Sequence, residues 1–226
     1  MFEFESVNHH IQRYILSILM HQKYARFRDL RPPRTDTNLF SYHLQSLLKK
    51  GFIDKTEQGY HLAPKGLGYV DRVSSETVNV RQQPKIITML VVQNSNGDLL
   101  LQRRTKQPYI DTWTLPYGKL HLDDRSLAEA AKREAHEKLN LSDQPLTHVG
   151  DCYIRARLDG EILSSTLAHI FRFNRDDIDL GDDLVWARPH KLGQLELAPA
   201  VEPIVARVFF GDEHFFEEFD TDIVEL

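Results

Sequence analysis

Residues 118–141 read GKLHLDDRSLAEAAKREAHEKLNL, a loop, a helix and a second loop in that order. From about Ser126 to Leu139 the side chains of Leu127, Ala130, Ala131 and Ala135 make one apolar stripe, the spacing of a helix that buries a single side. Glu134 and Glu137 stand three apart, so they share a helical face and are near enough to hold one cation. Working outward towards the N-terminus, Ile86 to Gln93 is a β-branched, hydrophobic run. Asn94 to Gly97 then has turn chemistry and Leu99 to Gln102 resumes an extended pattern, which predicts a hairpin. A loop with Pro108, Trp113 and Pro116 leads into the quoted stretch, and beyond it strands are expected over 147–158 and 163–173, joined around Asp159-Gly160. Strands built about one well-marked helix give an α+β domain.

The longer stretch LLLQRRTKQPYIDTWTLPYGKLHLDDRSLAEAAKREAHEKLNL, residues 99–141, closely resembles the Nudix family, which hydrolyses nucleoside diphosphates linked to another moiety. That family's box, G-x5-E-x7-R-E-U-x-E-E-x-G-U with U aliphatic, gathers carboxylates around divalent cations. By this resemblance Gly118 is the first glycine, Arg133 and Glu134 the Arg-Glu pair, and Ala135 the aliphatic position. Glu137 is the first of the paired glutamates, and Leu141 closes the box. The flanks match as well, with Leu100, Arg103-Arg104, Trp113 and Leu115-Pro116 before the box and Asp183-Leu184-Val185-Trp186 after it. The resemblance covers about residues 85–205 and implies the α/β/α Nudix fold. It also implies Glu134 and Glu137 as catalytic and metal-holding residues, with Mg2+ or Mn2+ as cofactor. A phosphorylated, nucleotide-like molecule would then lie against Arg103, Arg104, Trp113 and Gly118, the arginines pairing with phosphate and the indole stacking on a base. The structural alternative is that Arg103 and Arg104 merely alternate along a strand end while Trp113 fills the core.

Three departures bear on the chemistry. Lys138 stands where the second of the paired glutamates belongs, and an ammonium has three donors and no acceptor, so it cannot ligate a hard cation such as Mg2+. Asn140 replaces the glycine after the helix, a mild change because Asn tolerates the left-handed backbone of such a cap. Gly118 precedes Glu134 by 16 residues rather than the pattern's 15, so the early glutamate aligns only with Asp124 or Arg125. Tyr117 and His121 also sit where the family usually has Gly and Glu. Asp123, Asp124, Glu129 or His121 are the candidates to stand in as ligands. In the bland alternative Glu134 and Lys138 form a surface i, i+4 ion pair and there is no metal site.

Upstream, Ile11, Tyr14, Ile15, Ile18 and Leu19 mark an amphipathic helix within Asn8–His21, and a short second helix is expected over Ala25–Leu30. Pro32 and Pro33 stop it, after which Thr35, Asp36 or Thr37 caps a third helix running to about Lys50, with Leu39 or Phe40, Leu44, Leu47 and Leu48 inward. Gly51 ends this helix, and residues 52–56 and 60–62 read as two strands joined through Gln58-Gly59. The stretch FSYHLQSLLKKGFIDKTEQGYHLAPKGLGYV, residues 40–70, closely resembles winged helix-turn-helix regulators of the ArsR-like kind. That resemblance covers about 70 residues. It implies that Asn38, Ser41, Tyr42, His43 and Gln45 face the major groove of double-stranded DNA, while Arg31, Arg34, Lys49, Lys50 and Lys55 hold phosphates. Winged helices also dock proteins, and a set of cations can be no more than a solvated face.

The domains are therefore read as 1–75, a linker over 76–84, and 85–226. Charge divides with them: residues 1–75 carry 11 Lys+Arg against 7 Asp+Glu, a balance of +4, and the rest carries −9, within an overall −5. No run reaches the ~18 to 20 apolar residues of a membrane span, and MFEFESVNHH lacks the basic start of a secretory signal, so a cytoplasmic protein is expected. The single cysteine, Cys152, is read as a small core residue. Two functions stay open. One is a ligand-responsive DNA-binding regulator whose Nudix-like domain binds a nucleoside-diphosphate or ADP-ribose-like metabolite with weak or lost hydrolysis. The chain resembles Nudix-related regulators in this respect, with the domain order reversed. The other is a metal-dependent Nudix hydrolase carrying an accessory winged helix. A homodimer is expected because winged-helix regulators commonly read two half-sites. The tail from Phe209, alternating aromatic and acidic residues, suits either a dimer contact or packing onto its own domain.

Overall fold

In the computed structural model, which describes residues 7–73, 83–142, 144–211 and 213–223, the first apolar stripe becomes helix α1 (His10–His21), with Ile11, Ile15, Leu16 and Leu19 buried. Helix α2 (Thr37–Lys49) starts at Asp36, whose carboxylate accepts the backbone N–H groups of Asn38 and Leu39 at 2.8 and 3.0 Å, so two of the helix's orphan donors are satisfied. Strands β1 (Ile53–Thr56) and β2 (Gly59–Leu62) form an antiparallel hairpin, and α3 (Pro64–Val70) follows with Pro64 in its first turn. The helix expected over 25–30 is instead a single turn. Ala25 and Tyr60 exchange backbone hydrogen bonds at 3.0 and 2.9 Å, so the segment spends its peptide groups on the hairpin, and six residues are too few to offset helix nucleation. Gly59 makes that approach feasible: its φ is +128°, and a Cβ there would lie 2.6 Å from the Ala25 carbonyl oxygen.

The stripe of α2 also differs from expectation. Phe40, His43, Leu44 and Leu47 are buried, an i, i+3, i+4, i+7 set, whereas Leu39 is 46% exposed. His43, expected on the exposed side, is therefore a core-facing residue stacked on His9 at 3.6 Å between ring centroids. Placing Phe40 inward rotates the helix so that His43 follows it.

The chain divides into two compact units, Met1–Gln82 and Gln83–Leu226. That division falls within the segment read as a linker, of which residues 76–82 lie outside the described residues. The second unit is built on strands β3 (Lys85–Gln93), β4 (Leu99–Arg103), β5 (Trp113–Thr114), β6 (Tyr117–Lys119), β7 (Thr147–Leu158), β8 (Glu161–Asn174), β9 (Leu184–Ala187) and β10 (Phe215–Ile223), with helices α4 (Leu127–Leu139) and α5 (Val201–Phe210) and a short 3-10 helix at Pro189–Gln194. Their hydrogen-bonded order is β10-β7-β8-β3-β4-β5, with β6 added to β3 and β9 to β4. The β3–β8 and β7–β10 pairs are parallel.

Strand β3 shows why its sequence is a continuous apolar run. Ile87, Met89 and Val91 pack with Ile204, Val205 and Val208 of α5, and Leu90 and Val92 pack with Ala131, Ala135 and Leu139 of α4. Both faces of a central strand are covered, so both alternating sets must be hydrophobic. Cys152 lies in the α5-side core with its thiol pushed up to about 12 by burial. The C-terminal tail joins its own domain: β10 pairs with β7, Phe215 is buried, and Glu218 and Asp220 meet Arg155. No helix among the described residues is long and apolar enough to cross a membrane.

Candidate functional site

The box is organised by one guanidinium. Ser126 caps α4 by accepting the Glu129 N–H at 3.2 Å, and Asn140 closes it in the left-handed region with φ 53°. On the first half of the helix Arg133 reaches back over the loop. It makes paired bonds to Asp124 at 3.0 and 2.9 Å, donates to the Lys119 carbonyl at 3.0 Å, and contacts Glu134 at 2.5 Å and Glu137 at 3.5 Å. The bidentate bond from Arg133, aided by the His121 N–H, holds the Asp124 carboxyl down at about 2 against the opposing effect of burial. Of the two residues that align with the early glutamate, Asp124 is the one that binds this arginine. Glu134 is buried, and its carboxylate lies where a side chain on Gly118 would be: a Cβ there would stand 1.7 Å from the carboxyl carbon. Gly118 thus serves by having no side chain.

Beside this clamp opens a cavity of about 770 Å3 whose wall includes Glu134 and Glu137 and also Lys85, Arg103, Arg104, Lys106, Lys119, Arg133 and Lys138. Arg103 is answered by Asp111 at 2.9 Å and Arg133 by the box acids. No carboxylate among the described residues pairs with Lys85, Arg104, Lys106, Lys119 or Lys138. Lys85 records the consequence, since partial burial first, and then the charges of Arg104 and Lys119, hold its ammonium below the ordinary lysine range. Arg104 is oriented by the carbonyls of Pro108 at 3.0 Å and Lys106 at 3.2 Å and by the Tyr117 hydroxyl. Its guanidinium lies 5.7 and 5.6 Å from the ring centres of Tyr109 and Tyr117. The Tyr109 hydroxyl meets Ser164 Oγ at 2.9 Å.

The Mg2+ or Mn2+ cluster that the box implies would have to draw on this donor set. A hard cation needs several oxygen ligands. Here Glu134 Oε1 is already bonded to Arg133, Glu137 is half-exposed, and Asp124 is committed to the clamp. Among the described residues no third carboxylate or imidazole joins Glu134 and Glu137 in a metal-sized group. These residues do not fit the family's carboxylate cluster.

Of the ligand-binding residues expected from sequence, Arg103, Arg104 and Gly118 line the cavity with Glu134 and Glu137, and Trp113 does not. Trp113 is half-buried against the α5-side core, its backbone tied to Glu196 and Ala198. The surface ion pair between Glu134 and Lys138 is replaced by the contact of Glu134 with Arg133. Lys85, Tyr109, Tyr117, Ser164 and Thr166 were not foreseen as wall residues. Tyr117 alone left a signal, as a bulky residue where the family carries glycine. In the first unit Arg31, Arg34, Asn38, Tyr42, Gln45, Lys49, Lys50 and Lys55 are exposed, Ser41 is partly so, and His43 is buried.

Residues 83–208 match the family described as NUDIX domain. No curated protein sequence matches the chain. Among solved structures, the mutator MutT protein of Bacillus halodurans is similar at 20% identity and a TM-score of 0.50, covering 60% of this chain and 89% of that one. A cocrystal of the NUDIX domain of Shewanella oneidensis NrtR with ADP ribose is similar at 13% identity and a TM-score of 0.49, covering 63% and 96%. The MutT protein of Methanosarcina mazei Go1 is similar at 23% and 0.46, covering 56% and 94%. At these identities the likeness speaks to fold alone.

Proposed function

The chain belongs to the Nudix family, and on that premise we propose that its Nudix domain recognises a nucleoside-diphosphate or ADP-ribose-like metabolite without cutting it, while the N-terminal unit acts as a winged helix on double-stranded DNA. The observation that carries the first part is the charge of the cavity wall, seven cationic residues against two glutamates. Such a wall attracts a polyanion and opposes a divalent cation. Lys85, Lys119 and Arg103 suit phosphate oxygens, Tyr109 and Tyr117 offer aromatic faces for a base, and Ser164 and Thr166 add hydroxyl partners for a sugar.

The second part rests on one face of α2. Asn38, Tyr42, Gln45 and Lys49 follow an i, i+4, i+7, i+11 spacing and are exposed, with Ser41 beside them. They make a polar stripe opposite the buried one, as groove recognition needs. Arg31, which donates to Thr37 Oγ1 at 2.8 Å, Arg34 and Lys55 flank it as phosphate contacts. Reading two half-sites calls for two copies, so the proposal includes a homodimer, and sedimentation as a monomer at micromolar concentration would count against that part.

Calorimetric titration with ADP-ribose and with uncharged adenosine tests the cavity. Binding of the first alone, weakening as salt rises, is expected. Equal affinity for both would remove the electrostatic basis. For DNA, a gel shift that strengthens at low salt and is lost with Tyr42→Ala plus Gln45→Ala is expected. Absence of any shift at low salt would end the regulator proposal.

A further inference from the structure

A second group of ligating side chains lies outside the cavity, on β7 and β8 and just ahead of the edge strand β10. His148 and Asp151 are three apart on β7, which in a regular strand puts them on opposite faces. A bulge between His148 and Gly150 adds one residue, so that His148 pairs with Phe171 and Asp151 with His169 of β8. Phe171 and His169 are two apart and share a face, and the bulge therefore turns His148 and Asp151 to the same side. There Asp151 Oδ1 meets His148 Nε2 at 2.9 Å and His169 Nδ1 at 2.6 Å, and His214 Nε2, just ahead of β10, stands 3.7 Å from Oδ2.

We propose that His148, Asp151 and His169, joined by His214, bind one transition-metal ion of the Zn2+ class. Imidazole nitrogens with a single carboxylate oxygen suit Zn2+, Co2+ or Ni2+ and not Mg2+. In a tetrahedral site with bonds of about 2.0 to 2.1 Å the ligand atoms stand about 3.3 Å apart. The separations of 2.6 and 2.9 Å from Asp151 Oδ1 lie below that value and would open as the ion entered, the three principal ligand atoms all lie within 4.8 Å of one another, and His214 Nε2 faces the other oxygen, Oδ2, at 3.7 Å. The rings are held in place, His148 stacking on Phe171 at 4.9 Å and meeting His214 edge-on at 4.8 Å. The His169 side chain is only 14% exposed, whereas that of His214 is 51% exposed and marks the route of entry. The ion would tie β7, β8 and the approach to β10 together, fastening the last strand to the sheet.

The test uses the untagged full chain, stripped with EDTA and titrated with Co2+. One equivalent should bind with the visible bands of a tetrahedral site, be displaced by Zn2+, and raise the melting temperature. Asp151→Asn should weaken binding about tenfold or more. His148→Gln and His214→Ala, at half-exposed positions, should weaken it in a chain that keeps its native circular dichroism. Replacing His9 and His10 with Gln should leave binding unchanged. No binding at micromolar metal, or binding that survives both Asp151→Asn and His148→Gln, would overturn the proposal. The cavity plays no part in any of these readings.

Discussion

Glu134 and Asp151 are both carboxylates set into the same sheet domain and both are bonded by nitrogen donors, yet the donors make them chemically different. Glu134 receives Arg133, and a guanidinium does not give up its proton inside a protein. Any metal at Glu134 must compete with that cation. Asp151 receives the imidazoles of His148 and His169, each of which can present a lone pair and become a ligand itself. Whether a carboxylate can serve a metal therefore depends on what its partners become when a metal arrives. By that criterion the proposed function treats the Nudix box as an anion site rather than a cation site.

The comparison breaks most forcefully at Arg133. Arg133→Ala strands Asp124 and Glu134, whose side chains are 8% and 3% exposed, without their counter-charge, and urea unfolding should show a loss of about 3 to 5 kcal/mol. A loss under about 1 kcal/mol would mean that the clamp holds little. Asp124→Asn is next, at about 2 kcal/mol at neutral pH. The sign follows from the folded carboxyl being held at about 2, below its ordinary 3.8. Its stabilisation is complete above the unfolded value and is lost as pH falls through the folded one. The gap between native chain and variant should accordingly close as the pH of the unfolding experiment is lowered from 5 towards 2.

Lys138→Glu sharpens the comparison by supplying the missing box carboxylate and removing a cation. Mg2+ binding, followed by calorimetry, should tighten about tenfold, equivalent to about 1.4 kcal/mol. An unchanged affinity would place the defect in the Arg133 contacts rather than at position 138. Glu137→Gln should matter least for stability. Its side chain is 51% exposed and 3.5 Å from Arg133, so urea unfolding should shift by less than about 0.5 kcal/mol, and affinity for ADP-ribose should hold or rise. A larger loss of stability would make Glu137 part of the clamp.

How much of this was legible in the sequence depended on whether local spacing decided the outcome. The α4 stripe, the 147–158 strand and the apolar β3 run are written in periodicity and the Asn140 cap in the box motif, and they appear as read. The segment 25–30 was not legible because its conformation is fixed by Tyr60, 35 residues away in sequence. His43 was missed because polar character suggested exposure, while helix rotation is set by Phe40. In the site, the box residues and Arg103-Arg104 were found from motif. Lys85, Ser164 and Thr166 reach the same cavity only through the parallel β3–β8 pairing, in which Lys85 faces Thr166. The His148–Asp151 cluster was equally hidden, since strand alternation separates those residues and only the bulge reunites them.

Recognition without cleavage is tested most directly by incubating the full chain with ADP-ribose and millimolar Mg2+ and resolving the nucleotides by ion-exchange chromatography over hours. The expected result is that ADP-ribose is recovered intact although it binds. Magnesium-dependent appearance of AMP and ribose 5-phosphate, over many turnovers per chain, would contradict the account.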